Sequence, residues 1–286
     1  MASGTDQKIK RPSVLLTGAS SQIGIFAIPK LLQAGFQVLA VSRKGKPEAY
    51  PRFEQVQWIS DSEAENAAKR CQFLLSAGPL ELGYNFLLQN TCIQNAVVFS
   101  SSSVESKRES PSQAEREQIE SMLLLESKLR LVAEDRQMRL VIFRPTLIYG
   151  CGLDTNISTL AAWVRRYGWL PVNASASGQR QPVHADDLAS AAVASLLSEA
   201  DLPALMFLTG GDTLSYSDMV SRVFIALGKQ QRLLRLPQWV FVAAVKLAAF
   251  LNVFRGLNSE MVRRQNIDLV FDDSEARQLL SYKPRP

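Results

Sequence analysis

Short apolar runs alternate with longer segments of helical periodicity along most of this chain. SVLLT (13–17), QVLAVS (37–42), CQFLLSAG (71–78), VVFSS (97–101) and FLTGG (207–211) have the length and continuity of buried strands. Between them, IFAIPKLLQAG (25–35) reads as a helix stopped by Gly35, a second helix fits roughly 80–92, and SQAEREQIESMLLLESKLRLVAEDRQ (112–137) reads as a long third. Ser110 and Gln113 have the spacing of a capping box, with Pro111 at the first helical position. Pro29 lies inside the first helix and predicts a kink, because proline has no N–H and crowds the preceding turn at a cost of about 3 kcal/mol. Strand–helix alternation of this kind predicts an α/β fold with a doubly wound parallel sheet in residues 1–150. Residues 151–286 read as a smaller, mainly helical lobe with segments returning to the sheet: GLDTNISTLAAWVRRYGWLP (152–171) is a polar loop leading into a helix, and SYSDMVSRVFIALG (215–228) is a helix stopped by Gly228.

The turn after the first strand carries the most informative chemistry. In TGASSQIG (17–24), Gly18 permits a tight turn and close approach of backbone N–H groups to a pyrophosphate. Gly24 lets the following helix pack closely on the strand while its N-terminus faces the phosphates. Ser20, Ser21, Gln22 and Ile23 complete the candidate cradle; Ser21 stands where such loops often carry a middle glycine, and its hydroxyl can donate to phosphate. At the end of the second strand, where a carboxylate would hold the ribose 2′-hydroxyl of NAD, the chain has Ser42, Arg43 and Lys44. Two cations and a hydroxyl suit a 2′-phosphate, so NADP is favoured over NAD. The plainer alternatives are a strand–helix turn with no ligand and a solvated basic pair.

TGASSQIG, VVFSSSSVE (97–105), RPTLIYG (144–150) and GQRQPVHADDLASA (178–191) occur in the order of the motifs of the extended short-chain dehydrogenase/reductase superfamily. The chain resembles that superfamily's NAD(P)-dependent sugar-nucleotide epimerases and dehydratases over nearly its whole length. The resemblance implies a Rossmann-like fold, a nucleotide-sugar or related small-molecule substrate, and hydride transfer to or from a nicotinamide. It also implies roles for single residues. Ser102 matches the catalytic serine, Ala77 and Gly78 lie beneath the cofactor, and Pro145 belongs to the strand bordering the nicotinamide. Tyr149, Asn156 and Arg180 match substrate-side positions.

In the family a Tyr-x-x-x-Lys pair on one helix face moves the proton. Lys128 matches the lysine by its place before RPTLIYG and so is expected to bind the ribose hydroxyls of the cofactor; four residues earlier stands Leu124, which cannot ionise. Tyr149, Glu120 and Glu126 are the candidate substitutes, with Tyr149 expected to line the pocket and the glutamates expected to be solvated. His184, Asp186 and Asp187 are expected to be structural, at the start of a helix. The shortened stretch between residues 78 and 97 and the missing tyrosine resemble atypical members of the superfamily. Two functions follow: an epimerase/dehydratase-like oxidoreductase with a degenerate catalytic set, or a non-catalytic NADP(H)-binding scaffold or redox sensor. The family also implies a homodimer through the MLLLESKLRLV helix.

Composition narrows the class. With 47% hydrophobic and 21% charged residues the 286-residue chain is an ordinary globular protein, and disorder is excluded. One histidine and three separated cysteines give no Cys/His metal site and no disulfide framework, and the polar, basic start lacks a signal-peptide core, so a cytoplasmic location is expected. The net charge of +5 is uneven: residues 229–264 hold seven cations against Glu260 alone, an excess of six that leaves the remainder at about −1. A main domain near neutrality argues against nucleic acid. The apolar stretch 239–254, sixteen residues long, is too short to span a bilayer, so the basic segment is read either as a helix docked in the C-terminal lobe or as a peripheral contact with the inner face of a membrane.

Overall fold

A computed structural model describes residues 11–240, 243 and 265–286, apart from Lys44, Ala49 and Ser175. Seven strands form one parallel sheet: β1 (Ser13–Thr17), β2 (Gln37–Val41), β3 (Val56–Ile59), β4 (Phe73–Ser76), β5 (Asn95–Phe99), β6 (Arg139–Pro145) and, after four short strands, β11 (Leu205–Leu208). Their spatial order is β11-β6-β5-β4-β1-β2-β3, so β1 stands between β2 and β4 and the winding reverses there. Alternate residues of each strand enter two separate cores. Val14 and Leu16 of β1 pack under α1 (Gln22–Gln33) and α7 (Ala185–Leu197) together with Phe143, Met206 and Leu208. Leu15 faces the other way, with Leu74, Val98 and Ile142, toward α2 (Asp61–Ala68), α3 (Leu80–Gln89) and α5 (Gln113–Asp135). Burial on both faces is why the strands read as unbroken apolar runs.

Two local expectations meet the structure, and the second is corrected. Helix α1 continues through Pro29 to Gln33. Proline leaves the carbonyl four residues back without its helical donor, and the Tyr50 hydroxyl, which donates to the Ile25 carbonyl at 2.9 Å, fills that place. The predicted capping box before α5 does not form. The helix begins at Gln113 with Ser112 as its cap, while the Ser110 hydroxyl donates to Glu115 at 2.6 Å, so Pro111 precedes the helix. A short helix, α4 (Ser103–Ser106), fills the connection from β5.

The second half adds three small strand pairs and two helices. β7 (Ile148–Tyr149) pairs with β10 (Val183–His184), β9 (Gln179–Arg180) with β12 (Leu214–Ser215), and β8 (Leu170–Asn173) with β13 (Leu233–Leu236). Helices α6 (Ile157–Tyr167) and α8 (Tyr216–Ala226) close a third, smaller core around Val164, Leu170, Val172, Val220 and Phe224. The helix Ser274–Leu280 packs on α7 and β11, and behind it the Tyr282 hydroxyl donates to the Thr209 carbonyl at 2.8 Å. Arg285 then clamps Asp187 through its Nε and Nη2, at 3.0 and 2.7 Å, and reaches Asp186 at 2.6 Å. The aspartates of HADD are thus structural, as expected.

Replacing Tyr50 by Phe keeps its ring contacts with Phe53 and Trp58 but strands the Ile25 carbonyl. We expect a loss of about 1 kcal/mol in urea unfolding, with Tyr50→Phe combined with Pro29→Ala close to the Pro29→Ala single variant, because the helix then supplies its own donor.

Candidate active site

The winding reversal between β1 and β4 opens a crevice at their carboxyl ends, the place where doubly wound sheets bind ligands. Gly18 turns with φ +64°, and a Cβ built on it would lie 2.5 Å from the Gly78 nitrogen and 2.6 Å from the Ala77 carbonyl carbon. A Cβ on Gly24 would lie 2.3 Å from the Gly18 oxygen. The loops after β1 and β4 therefore meet backbone to backbone, and only glycine fits at both positions. Ser21 needs no glycine: its φ of −72° and ψ of 166° are ordinary extended backbone, and its hydroxyl oxygen caps α1 by accepting from the Gly24 N–H at 3.1 Å. The hydroxyl proton is left for another acceptor.

Two further features fit a dinucleotide. The N–H groups of Gln22 and Ile23, in the first turn of α1, find no acceptor among the described residues. The Gln22 Oε1 atom is buried without a hydrogen-bond partner. An anion at this helix end satisfies the first, and a ligand hydroxyl or amide satisfies the second. The Ser20 and Ser42 hydroxyls are 3.1 Å apart and tie the first loop to the end of β2, where Arg43 is exposed. Lys44 lies outside the described residues.

Around the adjoining serine strand, sequence reasoning missed the main feature. Arg144, at the end of β6, is almost buried and forms a two-pronged pair with Glu126 of α5, Nε to Oε1 at 3.0 Å and Nη2 to Oε2 at 2.5 Å. Its third nitrogen donates to Glu105 at 2.6 Å, and the Ser100 hydroxyl donates to Glu126 at 2.5 Å. Burial works against the guanidinium charge, but the bonds and charges of Glu126 and then Glu105 hold its pKa above the ordinary value. The solvated role expected for Glu126 is therefore corrected: its side chain has no exposure at all. The signal was available as one arginine in the otherwise apolar strand LVIFRP.

This pair also bears on the direction of the lysine. Successive helical residues turn by about 100°, so Leu124 and Lys128 each point about 160° away from Glu126. Leu124 is 56% exposed, and the exposed Lys128 holds its ammonium 5.8 Å from the Tyr84 ring centroid on α3. Neither points the way Glu126 does. Because α5 runs back from the carboxyl edge of the sheet, the helix overhangs that edge before Glu126. There, four and eight residues before Glu126 and within a quarter turn of its direction, stand Met122 and Gln118. A proton-moving pair at this spacing would fall on those two residues, and neither ionises.

The other candidates separate into distinct surroundings. Ser102 is nearly buried and its N–H donates to the Pro145 carbonyl at 3.0 Å, which joins the serine loop to the end of β6. Tyr149 meets His184 edge to face, with ring centroids 5.1 Å apart. Burial raises the Tyr149 pKa, with Arg285 opposing, so a phenolate base at neutral pH is disfavoured. His184 caps α7 by accepting the Asp186 N–H on Nδ1 at 3.1 Å, and burial, then Arg285, lowers its pKa. Arg180 is buried, donating from Nη1 to the Gln179 and Ile267 carbonyls at 2.7 and 2.6 Å, and burial lowers its pKa. Asn156 is exposed at the start of α6, where Asp154, unremarked in the sequence, accepts the N–H groups of Asn156 and Ser158 at 3.0 and 2.9 Å. Glu120 is also exposed.

No family model matches the chain. A UDP-glucose 4-epimerase of Vibrio cholerae is 28% identical over 159 residues, which cover 56% of this chain and 46% of that protein, so the chain matches less than half the length of this curated relative. Among solved structures, UDP-glucuronic acid 4-epimerase from Bacillus cereus, in complex with UDP-glucuronic acid and NAD, superposes with a TM-score of 0.71 at 15% identity, over 95% of this chain and 94% of the other. UDP-N-acetylglucosamine 4-epimerase from Methanobrevibacter ruminantium gives 0.69 at 14% identity, over 96% and 94%. At this identity the structures share the fold.

Removing Glu126 leaves the Arg144 charge buried with only the half-exposed Glu105. Glu126→Ala is expected to cost about 3–5 kcal/mol in urea unfolding, against about 1 kcal/mol or less for Glu105→Ala, whose carboxylate water can replace. Equal losses would mean that Arg144 is solvated in solution.

Proposed function

We propose that this chain is an extended short-chain dehydrogenase/reductase, a reading supported by its fold and its stretch of homology to an epimerase, and that it binds a dinucleotide and catalyses a redox step on a nucleotide-sugar or related small molecule. The observation that carries the reading is the glycine-lined crevice at the β1–β4 reversal, with its two unused N–H groups and the orphaned Gln22 oxygen. Gly18, Ser20, Ser21, Gln22, Ile23 and Gly24 hold the pyrophosphate, and Ala77 and Gly78 form the floor. Pro145 borders the nicotinamide. The bound cofactor supplies the hydride acceptor or donor. Ser102 hydrogen-bonds the reacting oxygen, Tyr149 lines the pocket, and Asn156 and Arg180 are the substrate-side contacts. NADP is preferred over NAD through Ser42, Arg43 and Lys44. Residues 1–150 serve the cofactor and 151–286 the substrate.

A second reading, a non-catalytic NADP(H)-binding scaffold or sensor, is favoured by Gln118 and Met122, which leave the overhanging turn of α5 without an ionisable pair. The two readings part in one titration. Purified protein should quench or enhance NADPH fluorescence saturably, and Arg43→Ala should weaken NADPH tenfold or more while sparing NADH. Turnover on a panel of nucleotide-sugars supports the enzyme; saturable binding without turnover supports the scaffold. Lys128→Ala should leave both binding and turnover unchanged. Gln118→Tyr with Met122→Lys should raise oxidoreductase turnover, and Leu124→Tyr should not.

The finer partners belong to the same proposal. Leu124 and Leu131 on α5 and Leu88 on the adjoining α3 expose apolar side chains on one flank, which suits a homodimer through these helices. Light scattering should then give a dimer that Leu124→Glu with Leu131→Glu converts to a folded monomer. No helix among the described residues is long and apolar enough to cross a membrane. Peripheral contact with the inner face of a membrane through residues 229–264 completes the reading; most of that segment lies outside the described residues.

A further inference from the structure

Two stretches of this chain contain no Asp or Glu: residues 155–185, which include α6 and β8, and residues 219–259, which include β13. The parallel pairing of β8 with β13 lays them side by side, Leu170 against Leu233 and Val172 against Arg235. Lys229 binds them further, donating to the Arg165 carbonyl at 3.2 Å. One face of this unit covers the small core of the lobe through Val164, Leu170 and Val172. Solvent-exposed on the same unit are Arg165, Arg166, Lys229, Arg232 and Arg235, none with an ion-pair partner among the described residues.

Aromatic side chains stand among these cations in a fixed arrangement. Trp163 donates its indole N–H to the Trp169 carbonyl at 2.7 Å, and its ring lies 4.3 Å from Tyr167 and 5.7 Å from Trp169, centroid to centroid. Arg166 covers the Tyr167 ring at 5.3 Å. Tyr167 and Trp169 remain 44% and 40% exposed, and Trp239, three residues beyond β13, is 76% exposed. A monomer in water has no need of exposed Tyr and Trp beside five cations that have no ion-pair partner among the described residues. An anionic bilayer surface matches both: amphipathic rings settle at headgroup depth, and the cations face the lipid phosphates.

We propose that the outer end of α6 with β8 and β13 is a docking surface for an anionic phospholipid bilayer, so that Arg165, Arg166, Tyr167 and Trp169 act with Lys229 and Arg232. The inference rests on the peripheral-membrane part of the proposed function and adds to it a rigid surface earlier in the chain. Asn156 begins α6, and its docking end lies about 16 Å along the helix, so the two tasks occupy opposite ends of one element.

The test is co-sedimentation of the full chain with vesicles of phosphatidylcholine alone or with 30% phosphatidylglycerol, at 0.1 and 0.5 M salt. Binding should require phosphatidylglycerol and be lost at high salt, and Arg165→Gln with Arg166→Gln should weaken it about tenfold or more. Trp169→Ala should weaken it severalfold at both salts, which a purely electrostatic contact would not show. NADPH titration of the same variants should match the parent protein. If the variants bind vesicles like the parent, the α6 surface is overturned while the basic-segment reading survives. If the parent ignores vesicles, both membrane statements fall, and retained NADPH binding leaves the enzyme reading intact. Equal affinity for a duplex oligonucleotide would also overturn the proposal, since the surface would then recognise polyanions without regard to lipid.

Discussion

The architecture depends on one buried ion pair. Arg144 closes the sixth strand of the sheet and Glu126 lies midway along the longest helix, so their two-pronged contact sets both the height and the rotation of that helix against the sheet. A charge pair at this depth gives little net stability over an apolar pair, because both groups lose water, yet it tolerates no other register. Ser100 and Glu105 complete its hydrogen bonds from the serine loop, so the loop that carries Ser102 is held by the same contact. Every helix position before Glu126 is thereby assigned a direction.

That assignment decides what chemistry the pocket holds. By the helical repeat, the residues within a quarter turn of Glu126 on the preceding turns are Met122 and Gln118. Lys128, which spacing from the next strand made the natural choice, lies on the flank shared with Tyr84. The glycine-lined turn is built by a different constraint, the backbone contact between Gly18 and Ala77–Gly78, and involves none of these helix residues.

Strand identity was legible because strands buried on both faces are apolar at every position; SVLLT matches β1 residue for residue. The glycine cradle was legible for an equally local reason, since tight turns and close backbone approach demand glycine in any protein. Less was legible where two distant residues supply each other's missing group. What replaces the donor that Pro29 lacks was not legible, because nothing near it in the chain could donate to Ile25, and Tyr50 comes from the loop before β3. Ser110 looked like a cap because local spacing cannot show that Glu115 takes its hydroxyl.

The sequence by itself determined the parallel α/β fold, the dinucleotide turn and the uneven charge, since each follows from residue types and short spacings. Tertiary structure alone decided which face of the long helix meets the pocket, because a helix presents every side and only a partner 18 residues away, across the sheet edge, selects one. It also decided that the cations of residues 229–235 lie beside the aromatic end of α6, since pairing between β8 and β13 joins stretches more than 60 residues apart.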